Sequence, residues 1–306
     1  MVFLPVERFI LALIATLFVL DAGLIALGGA AVDIGGYAAL VSCGIFCLAI
    51  GQVYRTLRNE ARIAAPVTAA GLFILLSIAG SVFNYLLLPV RFTPIDDFLL
   101  RSDAALGFDW PSFAAWMSHY PAIVSVLGSV YQTSLIQMIA VILLLGFSGK
   151  LLLLHRFLLT GILGALLAIV FWFFFPSFGT SYIYDVSTIT GPGAALIVDS
   201  GYGQELKHLA AHGVTALTPE KVLGLIAFPS VHTLMACMSV FFLRWSRVYF
   251  PVAACLNLMM LPAIILHGGH HLSDVVGGLA LFCVAYSLAI RQTSANVKEP
   301  VYSPAA

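Results

Sequence analysis

The chain has 306 residues, of which 61% are hydrophobic and 9% charged, and its mean hydropathy is +1.04. Soluble globular domains carry roughly a quarter charged residues, so this composition excludes a soluble enzyme and describes a polytopic membrane protein. Fourteen Lys and Arg balance fourteen Asp and Glu, which leaves no basic field to suggest a nucleic-acid partner.

Runs of about twenty apolar residues each supply enough helix to cross ~30 Å of hydrocarbon. They predict an all-α bundle of about eight transmembrane helices, near residues 9–30, 35–53, 66–90, 122–147, 151–176, 223–245, 249–267 and 272–290. The first run follows Arg8 as a signal peptide would, but it is long and no A-x-A-like site closes it, so it reads as a retained span. Asp21 in its middle reads as a buried carboxylate, neutral or paired. Residues 91–121 carry Pro94, Trp110, Pro111, Trp116 and Tyr120 among acidic and apolar positions. That suits a helix lying at the interface with its aromatics at headgroup level. Residues 177–222 are punctuated by Gly179, Gly191, Pro192, Gly193, Gly201, Gly203, Gly213 and Pro219, which predicts turns rather than another span. This segment leads straight into Ser230 and is a candidate lid. From Gln292 the chain turns polar and reads as a loose cytoplasmic tail. The five cysteines, Cys43, Cys47, Cys237, Cys255 and Cys283, all lie in apolar runs without metal-type clustering, so no disulfide framework is expected.

Orientation follows from where Lys and Arg fall, because cytoplasmic loops retain them. With the amino terminus inside, the inner flanks hold Arg8, Arg55, Arg58, Arg62, Lys150, Arg156, Arg244, Arg247, Arg291 and Lys298. Only Arg91, Arg101, Lys207 and Lys221 fall outside. Under this arrangement both polar motifs lie at the outer ends of spans, facing the periplasm or the extracellular side of a cell inner membrane.

Those motifs are Phe228-Pro229-Ser230-Val231-His232-Thr233 and His267-Gly268-Gly269-His270-His271-Leu272-Ser273-Asp274. Polar side chains are costly at membrane depth and are usually functional there. His270 and Asp274 are four residues apart and share a helix face, so the carboxylate can fix the imidazole's tautomer. Ser230 and His232 add a hydroxyl and a second imidazole. Together they supply a nucleophile, an orienting carboxylate, an acid/base and a hydroxyl, which suffices for phosphoryl transfer through a histidine. Plainer readings exist: Ser230 after Pro229 suits a helix N-cap, which does not exclude phosphate contact, and His270 with Asp274 suits a buried ion pair. The functional alternative is a metal-binding protein or transporter. His267, His270, His271 and Asp274 fall at i, i+3, i+4 and i+7, a spacing that suits zinc or iron. Against it, Gly268 and Gly269 interrupt the helix, and no His-Glu-x-x-His pattern occurs.

Pro229-Ser230-Val231-His232 resembles the Pro-Ser-x-His motif of the type 2 phosphatidic acid phosphatase superfamily. His270-His271-Leu272-Ser273-Asp274-Val275-Val276-Gly277-Gly278 resembles its His-x-x-x-Asp motif with the small-residue start of the last helix. The resemblance implies a six-helix phosphatase-like core at 66–291, two additional N-terminal helices within 1–65 and a tail at 292–306. It implies that His270 attacks phosphorus, Asp274 orients it, His232 protonates the leaving oxygen and Ser230 binds a phosphate oxygen. No metal or organic cofactor is implied, and the partner is a phospholipid or lipid phosphate. Two departures stand out. The superfamily's first motif, a Lys followed by Arg-Pro, is absent, since Phe175-Pro176-Ser177-Phe178-Gly179-Thr180-Ser181-Tyr182 carries no cation, and Ile264 replaces the arginine expected six residues before the nucleophile. In both respects the chain resembles the branch containing inositol phosphorylceramide synthases and sphingomyelin synthases. Something must replace these cations on the phosphate. Arg91, Arg101, Lys207 and Lys221, His267 and His271 if protonated, and the backbone N–H groups near Ser230 are the candidates, and Lys207 is favoured because its segment leads into Ser230.

Overall fold

The computed structural model describes residues 3–190 and 196–295. Pro5, whose missing N–H costs nothing at a helix start, opens α1 (Pro5–Gly28), and the Glu7 side chain accepts from the Leu4 N–H at 2.9 Å. A tight turn at Gly29, φ +68°, leads through Ala31–Val32 (β1) to α2 (Ile34–Thr56), which Asp33 caps by accepting from the Gly36 N–H. α3 (Ala61–Leu86) packs on α2 more extensively than any other helix pair. Glycines make that approach possible. A Cβ on Gly44 would come within 2.7 Å of Leu75, one on Gly51 within 2.2 Å of Thr68 Oγ1, and one on Gly71 within 2.8 Å of the Gly44 carbonyl. In lipid, where apolar surface gives little drive between helices, close backbone packing of this kind holds them together.

Two short outer helices follow, α4 (Asp96–Ala105) and α5 (Trp110–Ser118), then α6 (Pro121–Gln132) and α7 (Ser134–Phe147), bent by 46° at their junction, and α8 (Leu151–Phe174). The outer segment beyond α8 holds α9 (Thr180–Ile183), α10 (Val186–Thr190), α11 (Ser200–His212) and Ala216–Leu217 (β2), which pairs in parallel with β1. The last three helices are α12 (Val231–Leu243), α13 (Tyr249–His267) and α14 (Leu272–Ala295).

The chain is thus an all-α polytopic membrane bundle. Six helices, α1, α2, α3, α8, α13 and α14, are long and apolar enough to cross a membrane, and the bent pair α6–α7 makes a seventh if it counts as one span. The sixth expected span, 223–245, is helical only over the 13 residues Val231–Leu243, about 20 Å of rise. Pro229 explains the late start, since it disfavours helix in the residue before it and lacks a donor.

Other expectations shift as well. Residues 91–121 form two helices rather than one. Trp110 is buried and donates from Nε1 to the Ile265 carbonyl at 2.8 Å, while Trp116 and Tyr120 are exposed. α14 continues past Gln292 to Ala295; the rest of the tail, and the turn expected at Gly191-Pro192-Gly193, lie outside the described residues. The boundary expected at 65/66 falls inside α3, and Ile10 and Ile14 of α1 share one core cluster with Leu72, Leu145, Phe157 and Phe242.

The two ends of the bundle differ. At one, Arg55 donates to both carboxylate oxygens of Glu7 at 2.6 and 2.7 Å, and Arg156 Nε donates to Thr293 Oγ1 at 3.1 Å. At the other, backbone bonds join Val90 to Ala210, Thr180 to Gly269 and Ser230 to Asp274. Both polar motifs lie at this second end.

Candidate active site

Ser230 is the N-cap of α12 and its Oγ accepts from the Thr233 N–H at 3.3 Å. Its own N–H donates to the Asp274 carbonyl at 3.1 Å, so the two motifs are joined through main chain. The glycines of α14 allow this. A Cβ on Gly277 would meet the Phe228 ring at 2.5 Å, and one on Gly278 would meet the Ser230 carbonyl at 2.5 Å and Thr233 Cβ at 2.6 Å.

His270 Nδ1 lies 3.0 Å from Asp274 Oδ2, and both side chains are buried. The same Oδ2 accepts the His271 N–H at 2.9 Å. With a carboxylate as partner, Nδ1 carries the proton and Nε2 keeps its lone pair. The His232 ring stands 6.1 Å from that of His270, centroid to centroid. Its other side stacks on Tyr131 of α6 at 4.4 Å, with the phenol oxygen 3.5 Å from His232 Nδ1. His232, His270, Asp274 and Ser230 therefore come together at one end of the bundle.

His271, one residue on, points elsewhere. Its Nδ1 is 3.5 Å from Asp103 Oδ2 and its Nε2 3.8 Å from Asp96 Oδ1, and the ring is wholly buried. Both ring nitrogens thus face carboxylates of α4, which is at odds with the phosphate contact expected of this residue. Burial alone would lower the His271 pKa, but Asp103, Asp274 and Asp96 outweigh it and raise it. Burial acts on Asp103 in the raising direction, yet His271, Ser273 and Leu272 hold its carboxyl below the usual range. Burial dominates at Asp96 and pushes it up to about 6, against N–H donation from Gly179 and Phe178 and the charge of His271.

These two carboxylates brace the loop that carries His270 from both sides. Asp103 accepts from the Leu272 and Ser273 N–H groups, the unsatisfied donors at the start of α14. Asp96 accepts from the Phe178 and Gly179 N–H groups. The turn it holds, with Gly179 at φ +85°, donates from Thr180 N–H to the Gly269 carbonyl at 2.6 Å, directly before His270. Sequence reading missed Asp96, Asp103 and Tyr131. Asp96 and Asp103 carried a signal, being seven residues apart and so on one face of a helix; Tyr131 sits in an apolar run that gave none.

Lys207, expected on the phosphate, is exposed on α11, with Nζ 6.0 Å from the Tyr182 ring centroid. Its charge also acts on Asp185. The metal alternative also finds no converging donors. His267 Nε2 donates to the Val124 carbonyl at 2.8 Å, His270 turns to Asp274 and His271 to α4. Among the described residues no group of three or more His, Cys, Asp or Glu is placed to hold a metal ion.

A helical membrane bundle with a buried His–Asp pair facing a second histidine defines the class. Residues 97–288, more than half of the chain, match the PAP2 superfamily, and the chain belongs to it. The matched region runs from α4 into α14 and so includes Asp103 and both motifs. No curated protein and no solved structure matches the chain.

Proposed function

We propose that the protein is a membrane lipid phosphatase or head-group phosphotransferase that works through a phosphohistidine at His270, without metal or organic cofactor. The observation that carries this reading is the 3.0 Å contact between His270 Nδ1 and Asp274, with His232 facing the pair from 6.1 Å.

In the first step His270 Nε2 attacks phosphorus, the bond from phosphorus to the lipid oxygen breaks, and His232 gives that oxygen a proton. Asp274 stabilises the charge that develops on the His270 ring. In the second step His232 takes a proton from water or from a lipid alcohol, whose oxygen attacks phosphorus. The phosphorus–nitrogen bond then breaks and its electron pair returns to Nε2. Ser230 and the N–H groups at the start of α12 bind phosphate oxygens, the helix end favouring the negative charge. His271, set between two carboxylates, supports the loop rather than the phosphate.

The absent motif cations support a likeness to the inositol phosphorylceramide synthase branch, and with it transfer to a lipid alcohol rather than to water alone. The placement of Lys and Arg supports an active site on the extracytoplasmic face.

The test is incubation of the purified protein in lipid nanodiscs with radiolabelled lipid phosphates, with and without a lipid alcohol, in the presence of strong chelator. An acid-labile phosphoprotein that is absent from His270→Ala is expected. Turnover that needs an added metal ion, or that leaves no trapped phosphohistidine after rapid quench, rules the reading out.

A further inference from the structure

Below Ser230 and His232 lies an apolar cavity of about 260 Å³, bounded by α3, α7, α8 and α12. Dry apolar cavities of about 150 Å³ take up a benzene-sized guest, so this one has room for something longer. Val231, the residue between Ser230 and His232, lines its upper part, and Leu234 and Met238 continue the wall down α12. Two lining residues, Ser77 and Leu135, are exposed, which opens the cavity sideways at membrane depth.

Two features of α3 show that packing does not account for this space. Gly80 lines it, and a Cβ built there meets nothing within 4 Å. The glycines of the α2–α3 contact are the opposite case, each being needed for close approach. Asn84, one turn nearer the motif end, also lines the cavity; its carboxamide oxygen is buried and has no hydrogen-bond partner among the described residues. A buried polar atom left unpaired costs roughly 1–3 kcal/mol, a cost that a ligand donor would offset. Ser77, Ser81 and Asn84 fall on one face of α3 and line the cavity, with Phe73 and Leu76 beyond Ser77 toward the other end.

We propose that this cavity seats one hydrocarbon chain of the substrate, which makes the substrate a long-chain lipid phosphate carrying a hydroxyl or amide N–H between chain and phosphate. Resting on the phosphotransfer reading above, it assigns the chain to the space under Val231 and the polar linkage to Asn84. The phosphate then lies over Ser230 and His270, and the tail enters sideways from the lipid past Ser77.

Gly80 gives the test, because the bare helix face accepts a side chain without backbone strain. Gly80→Ala and Gly80→Phe are compared with the unaltered protein in nanodiscs, on a long-chain lipid phosphate and on soluble phenyl phosphate. Gly80→Phe should lower kcat/KM for the lipid by at least about tenfold and leave phenyl phosphate within about twofold, while Gly80→Ala changes neither. No loss on the lipid, or equal loss on both substrates, overturns the assignment. A lipid phosphate with a photoreactive diazirine in its chain gives a second readout. Adducts on α3 and α12 peptides around Gly80 and Met238 support the seat, and adducts confined to α2 overturn it. If the unaltered protein turns over neither phosphate, the phosphotransfer reading fails, and the photolabel still decides whether the cavity holds a chain.

Discussion

The Asp103 carboxylate takes two hydrogen bonds from Ser273, at 2.9 Å from the backbone N–H and 2.7 Å from the hydroxyl. An acidic residue of the outer helix α4 thus caps the helix that carries Asp274. Removing a helix cap costs about 0.5–2 kcal/mol, and here the displaced element holds half of the His–Asp pair. Asp103→Ala should lower thermal stability in detergent and reduce kcat by about tenfold to a hundredfold. Asp103→Asn, which can still accept, should recover part of both. Full activity in Asp103→Ala would separate α4 from the chemistry.

Asp274→Asn replaces an acceptor by a group that can donate to His270 Nδ1, which favours the wrong tautomer. In a serine protease triad the equivalent change costs about 10⁴ in kcat, and a loss of at least about 10² is expected here on the same principle. Rapid-quench labelling should show slower formation of the phosphoprotein rather than slower breakdown alone. His270→Ala should give no phosphoprotein at all.

His232→Ala should cost about 10²–10⁴ in rate on an alkyl phosphate, the range for a lost general acid. On a nitrophenyl phosphate, whose leaving group needs no proton, the loss should be much smaller. Tyr131→Phe removes the hydroxyl 3.5 Å from His232 Nδ1 and keeps the ring stack. A neutral hydrogen bond is worth about 0.5–1.5 kcal/mol, so a loss of about twofold to tenfold is expected, with the same leaving-group dependence. Equal losses on both substrates would remove the acid role from His232.

His271 predicts a pH effect. Its pKa is raised in the folded protein, so the stabilisation it provides is complete below the ordinary imidazole value of 6.5 and is lost as pH rises through the higher folded value. Asp103, held low, contributes stability above the ordinary carboxylate value of 3.8 and loses it on acidification. Asp96, pushed up to about 6, acts oppositely, since its folded form binds a proton more readily and gains nothing from deprotonation. Melting temperature should therefore decline as pH rises above 6.5, and His271→Phe should flatten that limb. An unchanged profile in the variant would assign the decline to another group.

Much of the fold was legible because lipid imposes one rule, the long apolar helix, and six of the eight expected segments follow it, or seven if the bent pair α6–α7 counts as one span. The segment expected at 223–245 failed at Pro229, where a mostly apolar run becomes helical only after the proline. That His232, His270, Asp274 and Ser230 would lie together could be anticipated because polar residues are conspicuous in apolar surroundings. Asp96 and Asp103 were hidden among the ordinary acidic residues of an outer loop, where charge by itself means little. His271 and Lys207 are both basic and near the motifs in sequence, but the direction of a side chain depends on packing that sequence spacing does not give: His271 turns to α4 and Lys207 lies exposed on α11.

Gly278 sits against the Ser230 carbonyl with no atom to spare. The gap between the serine-bearing helix and the aspartate-bearing helix is therefore gauged by a hydrogen atom, and any side chain at 278 would act as a shim. Alanine there keeps every polar group of the site yet widens the spacing between the Ser230 turn and the helix that carries Asp274. A search for function by polar chemistry alone would pass over this position, although it sets the calibration of the whole machine.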